Sequence, residues 1–153
     1  SLKRVAMLAN PQHPGERGEY RAASAAAAKL GLSVEYFTLS DAAQVDQALA
    51  GIAKARVEAI DVFPDAITMR VRERIAEFAA ANRVPAISGW SRFAESGNLM
   101  SYGPNLNDAY REIAGYVDRI LRGAAPGSLP IRLPATLELV VNQHAAQIGR
   151  AHV

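Results

Sequence analysis

Four short runs collect the residues best equipped to hold a small organic molecule. They are Asn10-Pro11-Gln12-His13-Pro14-Gly15, Phe63-Pro64-Asp65-Ala66, Ser88-Gly89-Trp90 and Tyr102-Gly103-Pro104-Asn105, and the third holds the single tryptophan. Aromatic rings supply apolar contact area with one polar handle, while amides, hydroxyls and carboxylates fix a ligand's orientation. Each residue also has a purely structural use. Asn10 before Pro11 suits an Asx turn. Asp65 suits the N-cap of a following helix, whose amides could still face a ligand carboxylate. Trp90 can pack on the sheet edge, Tyr102 can plug a turn, and His13 reads best as a surface histidine.

Reaction chemistry is missing from the same sequence. There is no G-x-S-x-G, no G-x-G-x-x-G, no Walker A motif and no H-E-x-x-H. The chain has no cysteine, which removes a disulfide scaffold, a thiolate metal site and a thiol nucleophile together. It has three histidines, His13, His144 and His152, two of them near the C-terminus. Asp61 and Asp65 are close in sequence, but Asp61 falls within a strand and the two form no acid/base pair. The reading is therefore a binding protein and not an enzyme, with no catalytic residue, metal ligand or cofactor assigned.

The elements that must position these runs alternate between two periodicities. Lys3 to Ala9, Ser33 to Leu39, Glu58 to Phe63, Val84 to Ser88, Asn98 to Ser101 and Thr136 to Val141 read as strands. Gly15 to Leu30, Asp41 to Lys54, Asp65 to Asn82, Ser91 to Glu95 and Asn107 to Arg122 read as helices, several closed by glycine. Strand and helix repeat about every 25 to 30 residues, which gives βαβ units and an α/β, doubly wound parallel sheet flanked by helices. Ligands of such sheets bind outside the carboxyl ends of the strands. The four runs are those ends.

With 153 residues the chain has the length of one domain. Half of its residues are hydrophobic and the net charge is only +2, with acidic and basic residues interspersed, so no basic run marks a nucleic-acid surface. No apolar stretch reaches membrane-spanning length, and no apolar leader follows Ser1 to Arg4.

The segments RVAMLANPQHPG, VFPDAIT, GWSRFAESGNLMSYGPNLNDAYREIAGYVDRILRGAAPGSLPI and TLELVVN resemble the ABC-transporter substrate-binding family related to tryptophan-binding lipoproteins. The likeness runs over essentially the whole chain, and NLMSYGPNLNDAYR followed by YVDRILRG is its most specific part. It implies one lobe of a type I periplasmic-binding-protein fold, in which two α/β lobes close on a small ligand, amino acids included, and deliver it to an ABC permease. The family begins with a further lobe before the position of Lys3, and that lobe would hold the signal peptide, any lipid-anchor cysteine and half of the cleft. The resemblance divides the chain into a second ligand-binding lobe (1–97), a strand and helix that cross to the first lobe or swap (98–123), and a return connector, last strand and tail (124–153). It carries ligand contact to Asn10 and Pro11, to Pro64 and Asp65, and to Gly89 and Trp90, with Tyr102 at the hinge end. Two stretches depart from the family: PATLELVVN stands for the commoner PTxFELVIN, and Ala66-Ile67-Thr68 for a Pro-Leu-Phe type of sequence. Periplasmic or extracellular location follows, as do a small-molecule ligand, no nucleic acid, and a homodimer of the isolated chain swapped at Gly97–Gly123. The alternative function is the ligand-sensing domain of a regulatory protein.

Overall fold

The computed structural model describes residues 2–150. Six strands form one sheet: β1 (Arg4–Ala9), β2 (Ser33–Thr38), β3 (Ala59–Val62), β4 (Ala86–Ser88), β5 (Met100–Pro104) and β6 (Leu137–Val141), in the order β2-β1-β3-β4-β5-β6. The first five run parallel, as the βαβ rhythm requires. β6 runs antiparallel to β5, with Leu137 beside Pro104 and Val141 beside Met100. The chain leaves β5 and returns at the same edge of the sheet, so the next strand has to run backwards.

The helices are α1 (Glu16–Lys29), α2 (Val45–Ala55), α3 (Ala66–Arg70), α4 (Arg72–Asn82), α5 (Ser91–Glu95), α6 (Leu106–Leu121) and α7 (Gln143–Arg150). The single helix expected from Asp65 to Asn82 is two. The chain leaves helical geometry at Val71 (φ −104°, ψ 12°), whose side chain turns into the core. The break leaves α3 tied to the loop at Asp65 while α4 seats Ile75, Ala76 and Ala79 in the interior. The tail beyond residue 150, with His152, lies outside the described residues.

Strand alternation divides the core between two faces. Ala6, Leu8, Ile60, Val62 and Ala86 meet Leu49, Ile52, Ile75 and Phe93 on one face, and nearly all are solvent-free. Met7, Ala9 and Phe63 pack with Ala23 of α1 and with Val34 and Tyr36 on the other. Buried-strand residues therefore read as continuous apolar runs, as expected of a parallel sheet covered on both sides. The cover is incomplete. Register places Met100, Tyr102 and Pro104 with Val141, Leu139 and Leu137 on the α1 side of the sheet, and Tyr102, Leu137, Leu139 and Val141 are exposed. α6 likewise has no buried residue.

Candidate functional site

β1, β3, β4 and β5 run in parallel and deliver their following loops to one edge of the sheet. After β1, the Asn10 carbonyl accepts a bond from the His13 amide (3.0 Å), and the Asn10 side-chain oxygen accepts one from the Gln12 amide (3.0 Å). This is the Asx turn that Asn-Pro favours. The Asn10 side-chain amide then donates to Asp65 Oδ2 at 2.7 Å, which ties the first loop to the second.

Asp65 is only 6% exposed and caps α3. Its Oδ1 accepts the Thr68 amide at 2.7 Å, while Thr68 Oγ1 accepts the Asp65 amide at 3.0 Å. The Thr68 hydroxyl also lies 2.8 Å from the Phe63 carbonyl, to which it can donate. Both carboxylate oxygens of Asp65 are thus held by donors of the protein itself. Asp65 and Asn10 fix the shape of the edge, and Pro11 stands exposed above them.

The third loop is held to the second by contact. A Cβ added at Gly89 would lie 3.1 Å from Pro64 Cγ. A Cβ at Gly103 would lie 1.9 Å from the Gly89 carbonyl oxygen, so the ends of β4 and β5 approach at a distance that only glycine permits at position 103. Trp90 follows in extended backbone (φ −118°, ψ 135°) and opens α5. With Met69, Arg92, Leu106, Asn107 and Tyr110 it lines a shallow groove of about 290 Å³. Tyr102 does not join this groove; its side chain leaves the sheet on the face shared with Leu139. His13 is half-buried, and its Nδ1 accepts the Gly15 amide at 3.2 Å.

The structure therefore brings Asn10, Pro64, Asp65 and Gly89 into one connected edge, with Trp90 beside it. Thr68, Met69, Arg92 and Tyr110 were not singled out from sequence. The Asp-x-x-Thr spacing of a capping box could have found Thr68. Nothing local could have found Tyr110, which reaches the edge only because Asn105 alone separates β5 from α6.

The edge can bind by apolar contact, ring stacking and backbone hydrogen bonds. Among the described residues no three His, Asp or Glu side chains are grouped to hold a metal ion. Asp61 has its carboxyl pushed up to about 6 by burial and, secondarily, by the Glu19 carboxylate. It stands in register with Met7 and Ile87 on the α1 side of the sheet and takes no part in the edge.

A family model described as ABC transporter substrate binding protein matches residues 1–149. No curated protein matches the chain. A solved conserved domain protein of Vibrio cholerae is similar, with a TM-score of 0.90 and 25% identity over 97% of this chain and 50% of its own. An ABC domain from Streptococcus pneumonia, solved in complex with L-Trp, has a TM-score of 0.87 and 21% identity over 95% of this chain and 50% of its own. A substrate binding protein with adhesive properties from Clostridium difficile, in a ligand-free, open structure, has a TM-score of 0.73 and 18% identity. It is covered over 52% of its length, so the chain spans about half of each of these proteins.

Proposed function

The chain belongs to the ABC transporter substrate-binding protein family, and on that footing we propose that it is one α/β half of a solute receptor, clamping a small organic ligand at its strand-end edge. The observation that carries this reading is the connected edge itself: Asn10 bound to Asp65, Pro64 against Gly89, and Trp90 with Tyr110 beside them. A binding surface needs such pre-formed geometry, because rigid loops lose little conformational freedom when the ligand arrives.

The candidate contacts are the loop surfaces at Asn10, Pro11, Pro64, Asp65, Gly89 and Trp90, with Tyr102 where β5 leaves the half. Asn10 and Asp65 act there chiefly by holding the loops. The aromatic and apolar lining of the groove favours a ligand with an apolar or aromatic body, and amino acids with such side chains are the first class to examine. The L-Trp complex of the similar streptococcal domain is consistent with that class. Function of this kind places the protein outside the cytoplasmic membrane, with an ABC permease as partner. Among the described residues no helix is long and apolar enough to cross a membrane itself.

The test is a thermal-shift screen of amino acids and related metabolites, followed by titration of any hit against wild type and Trp90→Ala. A ligand at 100 times its Kd adds about 2.7 kcal/mol of stability. Loss of the shift in Trp90→Ala with unchanged unliganded Tm supports the site; an undiminished shift removes Trp90 from it. Recovery of a chemically altered ligand would contradict a purely binding role.

A further inference from the structure

We propose that Arg92 reads a carboxylate on the solute, so that the groove beside Trp90 selects aromatic or apolar acids over neutral or cationic molecules of the same shape. The inference rests on the reading of this edge as the solute site, and adds to it the charge of the solute. What carries it is the composition of the groove wall. Met69, Trp90, Leu106 and Tyr110 give apolar and aromatic contact, Asn107 gives an amide, and Arg92 supplies the only formal charge among the lining residues. Three separate elements contribute these walls: α3 brings Met69, α5 brings Arg92 just after Trp90, and the first turns of α6 bring the rest.

The charge of Arg92 is uncompensated. Among the described residues it forms no ion pair, although Glu95 follows one turn later in α5. The carboxylates close to the groove are committed elsewhere. Asp65 accepts the Thr68 amide and the Asn10 side-chain amide, each at 2.7 Å. Asp108, next to Asn107, pairs with Arg111 at 2.6 Å. Glu73, next to Arg72 at the start of α4, pairs with that arginine at 3.0 Å. A ligand cation therefore meets no open carboxylate on this wall, whereas a ligand anion meets a guanidinium with its donors unspent.

Arginine suits a carboxylate by shape as well as charge, because its planar fork donates to both oxygens at once. A primary amide of the same outline offers one acceptor oxygen and turns its own N–H donors toward the guanidinium. The surrounding rings and aliphatic side chains strengthen the contrast, since a ligand seated on them displaces water and the charged pair then acts through a less polar medium. Charge-assisted hydrogen bonds of this kind are worth roughly ten- to hundredfold in affinity. Arg83 is a natural control. It too forms no ion pair among the described residues, but it closes α4 ahead of β4, at the opposite end of the sheet from the groove.

The test is calorimetric titration at neutral pH with three probes that share a ring and a chain length and differ in charge: 3-phenylpropionate, 3-phenylpropionamide and 3-phenylpropylamine. The acid should bind at least about tenfold more tightly than the amide, and the amine most weakly. Arg92→Gln should bring the acid down to the level of the amide and leave the amide unchanged, with the unliganded Tm unaltered because Arg92 is exposed. Arg92→Lys should keep part of the preference, through charge without the fork. Arg83→Gln, which removes the same charge elsewhere, should keep all of it. An amide or amine that binds as well as the acid overturns the inference, and so does a preference for the acid that survives Arg92→Gln or disappears with Arg83→Gln. If none of the three probes binds while another solute does, the charge rule falls and the solute site stands. If no solute binds at all, both fall.

Discussion

Asp65 shows how one side chain can tie two loops of the edge together. Its carboxylate accepts the Thr68 amide in the first turn of α3 and the Asn10 side-chain amide at once. Asp65→Ala should cost about 2–3 kcal/mol in urea unfolding, a lost cap plus stranded donors. Asp65→Asn should cost less, as it keeps an acceptor for Thr68. Asp61 makes the opposite case. Its folded pKa of about 6 exceeds the unfolded value near 4, so the folded state resists its ionisation. Its contribution is most favourable below pH 4, declines as pH rises from about 4 to about 6, and stays at the lower level above. The decline amounts to at most about 3 kcal/mol. Asp61→Asn should flatten that part of the stability–pH curve and raise Tm at pH 7.5; an unchanged slope would show that Asp61 is solvated. The buried, unpartnered Oε2 of Glu19 fits the same acidic, poorly solvated site under α1.

At the scale of elements, the helices end in informative ways. α2 and α4 both close on arginine in the left-handed region, Arg56 at φ 52° and Arg83 at φ 55°. A side chain there costs about 1 kcal/mol relative to glycine, so Arg83→Gly should stabilise by that order in thermal unfolding. A fall in Tm would mean that the exposed Arg83 side chain contributes more than its backbone costs. Gly103→Ala should do the reverse and destabilise strongly, since its Cβ would strike the Gly89 carbonyl. Most elements were legible from periodicity because strands and helices bury different spacings. The capping role of Asp65 and the turn at Asn10 were legible because those side chains bond to near neighbours. The break at Val71 was not, since it serves packing of α4 against a sheet assembled from distant residues. Nor was the reversed direction of β6, which depends on where the excursion of α6 returns.

The whole molecule explains why the groove beside Trp90 escaped a residue-by-residue reading. Its walls come from α3, α5 and α6, which only the parallel order of the sheet brings to one edge. The same order leaves the β5–β6 face bare, a fact that neither strand reveals alone: TLELVV alternates only weakly, and the register decides which of its side chains share a face with Tyr102. The proposed capture of a small solute rests on family membership and edge geometry together, and the location of binding tests it most directly. Amide chemical shifts of the labelled chain should be followed while amino acids and related metabolites are titrated in. The expected result is saturable shifts confined to residues 10–15, 63–69, 89–93 and 102–110 for at least one ligand with an apolar or aromatic body. Shifts centred on the far ends of α2 and α4, or none for any ligand at millimolar concentration, would contradict binding at the strand-end edge.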